Sequence, residues 1–372
     1  MKQHTTRRKT VPATRTATEL SACRTVAVDL AKRVFQVAAE DARGQVVHEA
    51  RIGSREAFQT FLQRLPAGIT VLMEVGPGAQ AWARQVQASG NAVRLLPAQR
   101  VAEHRSGAKN DRNDAHAILR AGRDTSLHAV PVKSLTALAM QALHRVRQGC
   151  VRRRTALANQ MRGLLLEHGV ALAQGDAALT RGVDRVLQDA TQPIPALLRE
   201  LVADVHAEWR RLGERIDGLT ARLEGAARED AEARRLMTVR GIGPISATAL
   251  IAKQTEPQRF ANARRFAAYF GTVPDQHSSG QKVRLGKMSK RGDAYLRSLM
   301  IQGAHAVLKQ LKPESTQPDD RRLLRWRQRL GQKGAAVRLA NRNLRIVWAL
   351  LQTEQTYRRQ PAAKAGTEEA TE

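Results

Sequence analysis

The sequence predicts a multidomain protein of the α/β-plus-α class, and three observations carry that prediction. Between residues 24 and 130, short β-rich runs alternate with amphipathic segments, as in a sheet covered by helices. From residue 131 onward the strand signal fades and apolar residues recur at helical spacing. Within residues 198–223 that spacing becomes an unbroken 4-3-4-3-4-3-4 series, the mark of a helix that packs along one seam.

Residues 1–23, rich in Thr and Arg, read as a disordered basic arm. Runs 24–30, 33–39 and 44–52 predict a three-strand meander, with a turn at Asp41-Ala42-Arg43-Gly44. A helix follows, with Ser54 as N-cap and Phe58, Phe61 and Leu62 on one face. Strand 69–74, a helix over about 79–88, strand 92–96 and a helix opened by Asn110 or Asp111 complete a first domain, 24–130. The order βββαβαβα is that of the ribonuclease H-like fold, whose first strand carries an Asp and whose fourth strand ends beside it.

Residues 131–230 are expected to be a helical and coiled-coil linker. Its first part, 131–166, holds no Asp or Glu, while Lys133, Arg145, Arg147, Arg152, Arg153, Arg154 and Arg162 supply seven positive charges. A solvated helix normally mixes signs, so this face is expected on a nucleic-acid backbone. After Pro193 and Pro195 come the seam residues Leu198, Val202, Val205, Trp209, Leu212, Ile216, Leu219 and Leu223. Gly213 and Gly218 each cost such a helix about 1 kcal/mol relative to Ala, so an intramolecular hairpin and self-association both stay open.

Residues 231–358 form the predicted C-terminal domain. The stretch 236–247 has the form of a helix-hairpin-helix: Gly241 and Gly243 permit the turn, Pro244 suits the first helical position, and the next helix's free N–H groups can take a phosphate. An αα corner that merely packs is the alternative. Residues 321–345 add nine basic residues on helices expected to line the same ligand, and the Ala/Glu-rich tail 359–372 reads as disordered.

Composition bounds the partners. With 62 Lys+Arg against 34 Asp+Glu, the formal charge of +28 draws the chain to polyanions by counterion release. Aromatic residues make up only 3%, which leaves the cores to Leu, Val and Ala. Cys23 and Cys150 match no disulfide or metal spacing and read as reduced thiols of a cytoplasmic protein. No apolar run approaches the roughly 20 residues that span a bilayer.

Against that positive background, four carboxylates are conspicuous. Asp29 follows the apolar run Thr25-Val26-Ala27-Val28, Glu74 follows Ile69-Thr70-Val71-Leu72-Met73, and Asp111 and Asp114 share one helix face at i, i+3. Asp111 and Asp114 alone read equally well as helix-start acids. Acids that also end buried strands must be desolvated, and clustered carboxylates repel unless a cation sits among them. Such a set suits Mg²⁺ or Mn²⁺, and two ions about 3.5–4 Å apart would clamp both oxygens of a phosphodiester displacement. Lys32 and Lys109 lie nearby in sequence to offset charge or contact phosphate. In the basic loop 274–293, a serine of Ser278-Ser279-Gly280 is a candidate nucleophile beside His277, Lys282 and Arg284.

These residues carry a resemblance. Asp29-Leu30-Ala31-Lys32, Met73-Glu74, Lys109-Asn110-Asp111-Arg112-Asn113-Asp114-Ala115, segment 154–169, Gly241 to Ala247 and loop 277–292 occur in order across residues 24–310. The chain is similar to the DEDD transposases of the insertion-sequence family numbered one hundred and ten, relatives of Piv-type DNA invertases. Near Glu74 it has Gln80 where many members carry His. The resemblance implies a RuvC-like domain that binds Mg²⁺ through Asp29, Glu74, Asp111 and Asp114. It also implies a C-terminal serine nucleophile, Ser279 with Ser278 as the fallback, that forms a transient phosphoserine link to DNA. It further implies a bridge RNA that pairs with donor and target DNA, and dimers that pair into tetramers on the nucleoid. A Holliday-junction-type nuclease without serine chemistry and a non-catalytic basic binding protein are the alternatives.

Overall fold

The computed structural model describes residues 20–107, 110–189, 191–192, 194–277 and 284–358. The chain divides into two compact units, Met1–Ser134 and Leu135–Glu372.

The first unit is built on a five-stranded sheet of order β3-β2-β1-β4-β5: β1 (Thr25–Leu30), β2 (Phe35–Glu40), β3 (Val46–Ile52), β4 (Thr70–Glu74) and β5 (Ala92–Leu96). The β1–β2 and β2–β3 pairs are antiparallel, whereas β1–β4 and β4–β5 are parallel. The predicted turn closes β2 onto β3: the Asp41 carboxylate accepts the N–H groups of Arg43 and Gln45, each at 2.9 Å, and Gly44 takes φ +75°.

The two-residue period of the strands sorts their side chains into two cores. Val26, Val28, Val37, Val71 and Met73 pack with Phe58 and Phe61 of α1 (Arg55–Gln63) and Trp82 of α2 (Ala79–Ala88). Ala27, Ala38 and Leu72 face the opposite way, onto Ala115, Ile118 and Leu119 of α4 (Asp111–Arg123). The helix comes close because Gly122 has no side chain: a Cβ there would sit 2.1 Å from Leu72 Cδ1. A short helix absent from the sequence-based assignment, α3 (Ala98–Glu103), precedes α4. Gln80 is a strut, donating to the Pro131 carbonyl at 3.2 Å and accepting the Lys133 N–H at 2.7 Å.

The second unit is helical, and the expected linker and C-terminal regions fall within it together. Met161 and Leu165 of α5 (Leu135–Leu166), Leu179 and Val183 of α6 (Asp176–Gln188), and Leu198, Val202 and Trp209 of α7 (Ala196–Glu229) share one core. The seam of α7 is therefore covered from within the chain. Gly213, a cost on helix propensity alone, makes room for the Arg154 side chain, whose Nε would lie 3.2 Å from a Cβ there. The Arg154 guanidinium stacks 3.9 Å from the Trp209 ring centre and pairs with Asp176 at 2.6 Å.

A second core joins α8 (Ala231–Met237), α9 (Pro244–Lys253), α10 (Ala263–Tyr269), α11 (Ala294–Lys309) and α12 (Pro318–Thr353). Between α10 and α11, β6 (Pro274–Gln276) and β7 (Leu285–Met288) form a hairpin. Its base meets the helical core through glycines: a Cβ on Gly292 would lie 2.0 Å from the Tyr269 carbonyl, and one on Gly271 would lie 2.1 Å from that of Arg291. Buried Arg297 donates to the carbonyls of Phe270 and Arg291 and fastens the same junction.

Candidate active site

Strand parity decides where the acids point. Asp29 and Glu74 follow the paired residues Val28 and Met73 at the ends of two adjacent parallel strands. Asp29 shares its face with Ala27, and Glu74 shares its face with Leu72, so both carboxylates lie on the α4 side of the sheet. Helix α4 begins there with Asp111 and Asp114 in its first turn. The capping is done by Asn110, whose side chain accepts the Asn113 N–H at 2.8 Å, which leaves both aspartates free of that duty.

The acids sense one another. Burial raises the pKa of Asp29, and the charges of Asp114 and Asp111 raise it further. Glu74 is raised by burial and then by Asp29 and Asp114. Opposing this is Arg105, in the connection from α3 to α4. Its Nε lies 2.6 Å from Asp114 Oδ1, and its charge lowers both Asp29 and Glu74. The contact is an ion pair without hydrogen-bond alignment, since neither atom has a hydrogen-bond partner. Among the described residues no three acidic, His or Cys side chains are arranged to hold one metal ion. The donor chemistry nevertheless fits a hard dication: carboxylate oxygens, half-buried on Asp29 and Glu74 and exposed on Asp111, with an electrostatic cost at the two strand-end acids that a cation would relieve.

Sequence reasoning missed Arg105, because nothing in its spacing marks it; only the fold carries it to the acids. It also missed Glu49 of β3, which binds α4 through Arg112 Nε at 2.9 Å and through His116. Lys32 is exposed in the β1–β2 turn. Lys109, Ser278, Ser279 and Lys282 lie outside the described residues. Hairpin β6–β7 frames the serine loop: His277 and Arg284 are exposed at its two ends, and the His277 N–H donates to the Arg284 carbonyl at 2.8 Å.

The other basic candidates divide by partner. Arg152 and Arg153 are exposed on α5, whereas Arg154 is taken up by Asp176 and Trp209, and Arg162 reaches the Ala173 carbonyl at 3.4 Å. At the glycine turn, Gly241 (φ +93°) is pressed against α11, where a Cβ on Gly303 would fall 1.9 Å from the Gly241 carbonyl. Asn343 donates to the Arg240 carbonyl at 2.9 Å, and Arg240 pairs with Asp320 at 2.5 Å. Gly241 thus has a packing duty, while Gly243 is exposed at the start of α9.

A DEDD transposase profile matches residues 26–169, and the Transposase IS116/IS110/IS902 family profile matches residues 233–318. A probable family 20 transposase of Pseudomonas aeruginosa is 42% identical over 334 residues, 90% of this chain and 98% of that protein. The chain belongs to the IS110 family of insertion-sequence transposases. The transposase for element IS1111A of Coxiella burnetii is 34% identical, covering 89% of this chain and 90% of its own. The transposase for element IS1328 of Yersinia enterocolitica is also 34% identical, covering 87% and 96%. The first profile contains all four acids and the second contains the serine loop. No helix among the described residues of this IS110-family transposase is long and apolar enough to cross a membrane.

Proposed function

We propose that this transposase cuts and rejoins DNA under the guidance of a structured RNA, using the Asp29, Glu74, Asp111 and Asp114 carboxylates together with a serine nucleophile, Ser279. The observation that carries the reading is the parity-determined meeting of two strand-end acids with the acidic first turn of α4, in a family of insertion-sequence transposases. The four carboxylates would hold Mg²⁺ or Mn²⁺, which supplies charge neutralisation at the reacting phosphate and lowers the pKa of an oxygen nucleophile. Ser279 Oγ attacks phosphorus, a phosphoserine ester forms, and a deoxyribose oxygen leaves with a proton. Attack of a second strand's hydroxyl on that ester rejoins DNA and returns the serine. Arg284, with Lys282, would offset charge on the phosphorane.

Tyr295 is a poorer nucleophile. It is bonded to His144 Nδ1 at 3.0 Å inside the helical unit, and burial raises its pKa. The bonding pattern gives His144 a structural role. Thr248 already donates to the Pro244 carbonyl at 2.8 Å, so it accepts from His144 Nε2 at 3.1 Å, and burial lowers the imidazole pKa to about 4. Exposed Arg152 and Arg153 support contact with a nucleic-acid backbone, and dimers pairing into tetramers are part of the same reading.

The test is covalent trapping on a nicked DNA substrate that strands the intermediate. Wild type should yield a protein–DNA adduct that mass spectrometry maps to Ser279. Ser279→Ala should lose adduct and strand exchange while still binding DNA and copurifying RNA, with Ser278→Ala milder. Cleavage with no adduct would replace this reading with a hydrolytic RuvC-like nuclease.

A further inference from the structure

Helix α12 is broken at Gly331, whose φ of +69° and ψ of 172° belong to a region open essentially to glycine alone. In a straight helix Trp326 and Arg338 would stand about 18 Å apart along the axis. Instead the Arg338 guanidinium lies 4.6 Å from the Trp326 ring centre, and Arg342 reaches back to Asp319 at 2.6 Å. The two arms of α12 therefore fold alongside each other. With residues Gln355 to Arg358 they border an open cavity of about 1320 Å³.

Its lining is strongly cationic. Arg322, Arg338, Arg342, Arg345 and Arg358 face it, and the acid paired with these arginines is Asp319, committed to Arg342 and at 4.0 Å to Arg322. Among the described residues Arg338, Arg345 and Arg358 have no carboxylate partner. Arg342 is held from its other side by the Tyr357 hydroxyl at 3.2 Å, so part of the charge is preorganised. An aromatic surface lies among the charges: Trp326 lines the cavity, while Trp348 is tied to the Pro257 carbonyl at 3.0 Å.

We infer that this cavity is a binding site for an unpaired stretch of polynucleotide, with phosphates on Arg338, Arg345 and Arg358 and one base stacked at Trp326. Unneutralised guanidinium groups call for a polyanion. An aromatic face among them calls for a flat partner, and single strands offer unstacked bases where a duplex has them covered. The Arg338–Trp326 stack holds the surface until a base extends or displaces it. The inference deepens the proposed function by giving the unpaired strand a place to dock, and it requires nothing of the acidic site.

The experiment uses the full-length protein with fluorescein-labelled octamers U8 and dT8 and a blunt eight-base-pair duplex. Anisotropy reports binding and intrinsic tryptophan fluorescence reports stacking. Wild type should bind a single strand more tightly than the duplex, with quenching, and the tighter of U8 and dT8 identifies the strand as RNA or DNA. Trp326→Phe should abolish most of the quench, and the double variant Arg338→Ala/Arg345→Ala should weaken single-strand binding about tenfold or more. Circular dichroism of both variants should match wild type. If a variant misfolds, 4-thiouridine crosslinking of wild type should still map to peptides carrying Trp326 or Tyr357. Crosslinks elsewhere, equal duplex affinity, or single-strand affinity unchanged in the double variant would overturn the inference. Asp114→Asn should keep octamer binding and lose strand exchange. Normal exchange by Asp114→Asn would fail the proposed function and leave this inference standing.

Discussion

Arg105→Gln removes the cation that the fold itself places against the acidic cluster. The pair with Asp114 spans 2.6 Å, and the two side chains are 30% and 15% exposed. It therefore lies between exposed pairs, worth about 0–1 kcal/mol, and buried ones, where loss of one partner costs about 3–5 kcal/mol. A loss of about 2 kcal/mol is expected for the metal-free protein at neutral pH. For a unit of this size that lowers Tm by about 8 °C. The same charge competes with any dication for the carboxylates, so by reciprocity the variant should bind Mg²⁺ about 30-fold more tightly. At Mg²⁺ ten times the wild-type Kd, wild type gains about 1.4 kcal/mol and the variant about 3.4 kcal/mol. Thermal melts in EDTA and across a MgCl₂ series measure both quantities. The sign with pH is fixed too. Arg105 lowers Asp29 and Glu74, so its contribution is present while they are ionised and is lost as pH falls through their folded values. Identical melts in EDTA, or equal Mg²⁺ increments, would refute the argument.

Asp29→Asn should do the opposite. Burial and then its acidic neighbours raise the Asp29 pKa, so ionisation disfavours the fold; the cost is absent below the ordinary value of 3.8 and complete above the folded one. The Asn variant should therefore melt higher than wild type in EDTA at neutral pH, match it in strong acid, and gain less from Mg²⁺. Gly303→Ala pushes a methyl to 1.9 Å from the Gly241 carbonyl, backbone against backbone, and should cost about 3 kcal/mol or more, read by chemical denaturation. Arg152→Ala should leave stability unchanged and shallow the salt dependence of nucleic-acid binding by about one phosphate contact, whereas Arg154→Ala should lower Tm, because Asp176 and Trp209 lose their partner.

The strands of the sheet and the turn from β2 to β3 were legible because they follow from a two-residue period and from turns written locally, as at Asp41 to Gly44. The seam residues of α7 were equally readable from their interval, and every one of them is buried or half-buried. Helix α3 was not: at six residues it is too short to show a period. Arg105 and the reversal at Gly331 were hidden for a different reason. Each matters through a contact whose partner is distant in sequence or lies across a break in a helix.

Net charge misleads in the same way. A formal +28 suggests a uniformly basic surface, yet some of the arginine is matched by acids inside the molecule. Arg105 serves Asp114, Arg123 serves Glu40, Arg154 serves Asp176, Arg240 serves Asp320 and Arg342 serves Asp319. These pairs release no counterions when a polyanion arrives, because their charge is already matched. The groups that can are those whose partners the fold withholds, such as Arg152 on α5 and Arg338 and Arg345 at the α12 cavity. The salt dependence of binding should therefore follow the arginines that lack an acid partner and meet the ligand rather than the total of bases, which makes the positions of the 34 acids as informative about the ligand as those of the 62 bases.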